Sequence, residues 1–110
     1  MRMLTLALCA AAGAAVAATA MAAPVNDVGY MQAARCKGLA EGSGRSTPAL
    51  DTFLKKQSYV REEAVLVRAK EEQERGRHEA RNAADQAQAQ LSGVCAAWLS
   101  NPETAGSSAR

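Results

Sequence analysis

Aromatic residues are scarce in this chain of 110 residues: Tyr30, Phe53, Tyr59 and Trp98 are the whole set. Any core is therefore thin, and a small chain buries proportionally less of its surface than a large one. Histidine occurs once, as His78, and a lone histidine in a polar segment leaves no credible Ser/His/Asp or Cys/His set for nucleophilic catalysis. Charge of one sign is missing too. Thirteen basic residues stand against eleven acidic ones. That balance excludes a dedicated nucleic-acid or anionic-membrane binder, which carries a one-signed patch.

One long apolar run is present, at the start. Arg2 precedes a Leu- and Ala-rich stretch from Met3 to Val16, and Ala20-Met21-Ala22 offers small residues at the −3 and −1 positions of a signal-peptidase site. Cleavage is expected after Ala22, which puts Pro24 at +2 and makes residues 1–22 a signal peptide. The alternative is a retained anchor, since no charge falls between Met3 and Val25 and such a stretch is long enough to span a bilayer. Alanine is only marginally apolar, which weakens retention. A lipoprotein is excluded, because Leu8 precedes Cys9 where a small residue is needed. Removing 22 of 110 residues leaves 88, one small domain over 23–100 with a disordered C-terminal tail over 101–110. Arg2 leaves as well, so 12 basic residues face 11 acidic ones.

Of three cysteines, Cys9 departs with the signal, and Cys36 and Cys95 remain as an even pair. An oxidising compartment favours a disulfide between them, and with no second ligand cluster they make a poor metal site. The loop enclosed, 95 − 36 − 1 or 58 residues, is worth up to about 4 kcal/mol in the chain-entropy model. That is a large share of a domain stability of about 5–15 kcal/mol.

Periodicity predicts helices and no strands. Asn26 or Asp27 caps a first helix running to about Ala40, with Val28, Cys36 and Leu39 on one side. Glu41 to Ser46 is a linker by composition. Thr47 then caps a second helix that has Pro48 at its first position and Asp51 in its first turn. Leu50, Phe53, Val60, Ala64 and Val67 share one face. Ala80, Ala84, Ala87, Leu91, Val94 and Trp98 repeat in 4-3-4-3-4 steps, the seam of a coiled coil, and Asn101-Pro102 ends it.

Between the seams, Arg68 to Arg81 carries almost no apolar residue. Opposite charges four apart (Arg68/Glu72, Lys70/Glu74, Glu71/Arg75, Arg75/Glu79) can sustain a solvated helix, and Gly76 opposes it. Two all-α architectures stay open. A turn near Gly76 gives a small antiparallel three-helix bundle or hairpin with a Cys36–Cys95 bridge and a charged tip. One helix from Pro48 to about Leu99 gives a dimeric coiled coil. A straight helix sets Pro48 and Cys95 roughly 70 Å apart, beyond the roughly 42 Å that twelve extended residues span from Cys36. An intramolecular bridge therefore requires the turn.

His78-Glu79-Ala80-Arg81-Asn82 mimics a zinc-protease helix for two residues, but Asn82 stands where the second histidine belongs. Glu74 is the expected partner of His78. Gly42 to Thr47 follows a helix, not a strand, and lacks the lysine of a phosphate loop. Trp98 either packs over the disulfide or anchors a partner. The expectation is thus a small exported, periplasmic, non-enzymatic protein that binds another protein as an adaptor, inhibitor or immunity-type factor. Trp98, Arg75 and Arg77 are its candidate contacts, with no cofactor, metal, nucleic acid or small-molecule substrate, and homodimerisation is an open alternative. A chaperone-like hairpin for exported clients, or a membrane-anchored coiled-coil spanner if the signal stays, are the other readings.

Overall fold

A computed structural model describes residues 25–108, so the signal peptide expected over 1–22 lies outside the described residues. Among those described, the chain is all-helical with one disulfide: α1 (Asp27–Gly42), α2 (Pro48–Ser58), α3 (Glu63–Asn82), α4 (Ala84–Ser92), α5 (Ala96–Ser100) and α6 (Pro102–Ser108). No helix in this set is long and apolar enough to cross a membrane.

α1 is the hub. It begins as its sequence dictates, the Asn26 side chain accepting from the Gly29 backbone N–H at 2.7 Å. Tyr30, Ala33, Ala34, Cys36, Leu39 and Ala40 are all buried, so apolar surface faces several directions, as in a helix with neighbours on more than one side. Val28, expected on the buried side, is 76% exposed because it precedes the region where those neighbours close in.

The most extensive packing joins α1 to α3, and it depends on glycine. A Cβ on Gly38 would overlap the Gln73 carbonyl, one on Gly42 would stand 2.6 Å from the Arg77 carbonyl oxygen, and one on Gly76 would stand 2.6 Å from that of Arg35. Small residues let the two backbones meet directly, so Ala69, Gly76 and Ala80 form a buried face on α3. The contacts ascend together, Arg61 meeting Asp27, Gln73 meeting Glu41, and Gly42 meeting Ala80, so α1 and α3 run in the same direction.

This corrects the expected turn. Gly76 is buried in the middle of α3, not at a reversal, and the segment from Arg68 to Arg81 is no free tip. The single helix from Pro48 to Leu99 does not form either. The chain bends instead over 59–62, at Ala83 (φ −142°, ψ 62°) and around Gly93. The first bend leaves Val60 and Val67 exposed, and the other two interrupt the 4-3-4 seam. Ala80, Ala87, Leu91 and Trp98 of that seam are buried, whereas Val94 is 61% exposed.

Partly buried polar groups hold the bends. Arg61 donates to the Val25 carbonyl and to Gln57 Oε1, pairs with Asp27 at 2.8 Å, and lies 4.9 Å over the Tyr30 ring. Burial pushes the Tyr30 phenol above its usual pKa despite the Arg61 charge beside it. At the other end Glu79 pairs with Arg35 and accepts from Gln90 Nε2 at 2.7 Å, which draws α4 back onto α1. Thr47 takes the expected N-cap position of α2 but makes no side-chain bond to its backbone, since its hydroxyl donates to Asp51 at 2.9 Å.

Cys36 and Cys95, both 1% exposed, form the expected bridge with Cα atoms 5.5 Å apart. α5 stops at Ser100 before Pro102 as expected. The segment beyond is not a disordered tail, because Pro102 opens α6, whose Ala105 packs on the core and whose Glu103 pairs with Lys56.

Candidate functional site

α2 and α3 both rest on α1, yet they do not pack extensively on each other. The space between them is an open groove enclosing about 300 Å³. Tyr30 and Ala34 of α1 floor it, Leu54 and Ser58 of α2 form one wall, and Leu66 and Ala69 of α3 form the other. Each side chain is placed by helical spacing. Tyr30, Ala34 and Lys37 lie one turn apart along α1, and Leu66, Ala69 and Gln73 do the same along α3.

The rim is cationic. Lys37, Lys55 and Lys70 border the groove with one acid, Asp51. Lys37 is engaged at 3.2 Å by Asp51 and at 4.0 Å by Glu41, whereas Lys55 and Lys70 form no ion pair among the described residues. Beyond the groove Glu41 ties α1 to α3. Burial alone would raise its carboxyl, but hydrogen bonds from Arg77 (2.7 Å) and Gln73 (3.0 Å), with the nearby charges of Lys37 and Arg77, hold its pKa below the ordinary value. The bond to Glu41 in turn raises that of Arg77.

The residues expected to contact a partner are not brought together. Trp98 is 3% exposed, a core side chain and not an exposed anchor. Its ring meets Phe53 at 5.8 Å and its Nε1 donates to Gln32 Oε1 at 3.0 Å. Arg77 is held in the α1–α3 seam by Glu41, with Glu74 beside it at 3.0 Å. Arg75 is exposed and pairs with Glu72, three residues back. His78 meets Asn82 at 2.8 Å, not Glu74. Sequence reasoning missed the groove, because it arises where α2 and α3 both rest on α1 and no spacing within either helix marks it.

Compared with known proteins, the chain matches no family model, no curated protein and no solved structure.

Proposed function

We propose that this is a small exported, non-enzymatic protein that acts by binding another protein, as an adaptor, inhibitor or immunity-type factor, on a helical-bundle scaffold stapled by one disulfide. The observation that carries the reading is the groove: a cleft between two helices, bordered by Lys55 and Lys70, which form no ion pair among the described residues. Its volume is at the bottom of the range for small-molecule sites and it is open along its length, so it suits a segment of another chain better than a ligand that must be enclosed. Export is supported by the disulfide, a bond that persists in oxidising compartments, together with the amino-terminal signal pattern.

The test is photo-cross-linking in the native compartment, from a reactive residue placed at Lys55 and, as a control, at Gln88 on α4. One stoichiometric protein adduct from Lys55 and none from Gln88 is the expected result. Absence of any protein adduct from either position overturns the proposal.

A chaperone-like role is the second reading, favoured by Val28, Tyr59 and Val60, which are all more than half exposed near the corner pinned by Arg61. Suppression of the aggregation of unrelated unfolded clients, lost in a Tyr59→Ser/Val60→Ser variant, would replace the first reading with this one.

A further inference from the structure

We propose that the fold closes over its own processing site: once the corner held by Arg61 has formed, the Ala22–Ala23 bond is no longer a substrate for signal peptidase, so cleavage has to precede folding. The inference rests on the signal-peptide reading of residues 1–22 and says when that segment can be removed.

The anchor is Val25. Only Ala23 and Pro24 separate it from the expected cut, and it is no loose end. Val25 is 1% exposed and part of the core. Its N–H donates to Gln57 Oε1 at 3.3 Å and its carbonyl accepts from Arg61. Arg61 is fixed in turn by Gln57, by Asp27 and by the Tyr30 ring, and the Asn26 side chain starts α1 at the next residue. The third residue beyond the bond is therefore gripped from α1, from α2 and from the bend that follows α2.

Reach comes next. Two residues span at most about 7 Å, less than the roughly 10–12 Å width of one helix with its side chains. Pro24 removes slack as well, since its ring fixes its own φ and disfavours helical backbone at the residue before it. A peptidase has to seat residues on both sides of the bond, and susceptibility to cutting follows how free the backbone is there. On one side lies the charge-free stretch from Met3 to Ala22; on the other, the folded domain begins at Val25. Cutting the folded chain requires Val25 to leave its place, which exposes its side chain and breaks both of its hydrogen bonds.

The order of events follows from sequence separation. Gln57 and Arg61 lie 32 and 36 positions after Val25, so during export the junction emerges well before the residues that clasp it. That interval is the window for cleavage. A chain that closes the corner before it is cut keeps its apolar amino-terminal segment and stays at the membrane.

The experiment uses the full-length precursor, pulse-labelled in cells depleted of signal peptidase, so that it is exported and folds with residues 1–22 in place. Protection of Cys36 and Cys95 from alkylation verifies that it is oxidised. Peptidase is then restored, and cleavage is followed through the chase, with the cut located by intact mass. The comparison is a variant with a flexible Gly-Ser spacer of about six residues between Pro24 and Val25, which moves the bond away from the clasp. The folded wild-type precursor should be cut at least roughly tenfold more slowly than either newly made wild-type chains or the folded spacer variant, and Gln57→Ala should fall between. Purified precursor in detergent gives the same contrast without a variant: the oxidised chain should resist peptidase, and the reduced, alkylated chain should be cut after Ala22.

Cleavage of the folded wild type as fast as the spacer variant, or equal cleavage of the oxidised and alkylated chains, would overturn the proposal and leave the signal peptide standing. So would a folded spacer variant as resistant as the wild type, because the short tether would then not be the obstacle. Failure of newly made or alkylated chains to be cut after Ala22 removes the signal-peptide reading and the inference with it.

Discussion

A methyl group on Gly76 would have to share space with the Arg35 carbonyl oxygen, 2.6 Å from where its Cβ would stand, and with the Leu39 nitrogen at 3.0 Å. Helix propensity alone favours alanine there by about 1 kcal/mol, but prising two backbones apart costs about 1–3 kcal/mol. Gly76→Ala is therefore expected to lower stability by up to about 2 kcal/mol in urea unfolding; a more stable variant would mean that α1 and α3 are not in backbone contact. Trp98→Ala removes a fully packed ring and its bond to Gln32, and is expected to cost about 3–5 kcal/mol. Glu41 supplies a pH signature. Its folded pKa is lowered, so its contribution is complete above the ordinary value of 4.5 and is lost as pH falls through the lower, folded one. Glu41→Gln should thus cost about 1 kcal/mol at pH 7 and progressively less as the pH is lowered below 4.5, as read by unfolding curves across that range.

Where α1 and α2 begin and where α5 ends was written in local chemistry: Asn26 ahead of α1, Pro48 at the head of α2, Pro102 after α5. Where the chain bends was not. The 59–62 and Ala83 corners contain neither glycine nor proline and are set by distant partners, Arg61 reaching back to Val25 and Glu79 reaching out to Gln90. Periodicity therefore ran straight through both corners. α3 was misjudged for a related reason. Its buried face consists of Ala69, Gly76 and Ala80, which pack by close approach and carry little hydrophobicity, so a polar composition concealed a packed surface. α6 yields a prediction at this scale. Ending the chain after Ser100 removes Ala105 from the core and Glu103 from Lys56, and should cost about 1–2 kcal/mol, where a disordered tail would cost nothing. Replacing Cys36 and Cys95 together by serine should cost up to about 4 kcal/mol. The native protein should weigh about 2 Da less than its reduced form in non-reducing intact-mass measurement.

At the level of the whole molecule, helical class and disulfide were legible because one follows from residue spacing and the other from the number and placement of the cysteines. The groove was not, since it arises from two helices that share a neighbour without closing on each other. No pattern within Pro48–Ser58 or Glu63–Asn82 encodes that separation. The same arrangement bears on how the chain reaches its native state. The hydrogen bonds joining α1 to α3, from Gln73 to Glu41, Arg77 to Glu41 and Arg35 to Glu79, link residues 32 to 44 positions apart, and the neighbouring pair α1–α2 contributes far less contact. Local zipping therefore gains little at first. α1 has to wait, its glycines exposed, until α3 has been made and the corner at Arg61 has brought it round. Folding of this kind starts with a loop-closure cost and runs slower than for helical proteins built from adjacent hairpins. With the disulfide intact the search is over a closed ring, so the oxidised chain should refold measurably faster from urea than the same chain with both cysteines reduced.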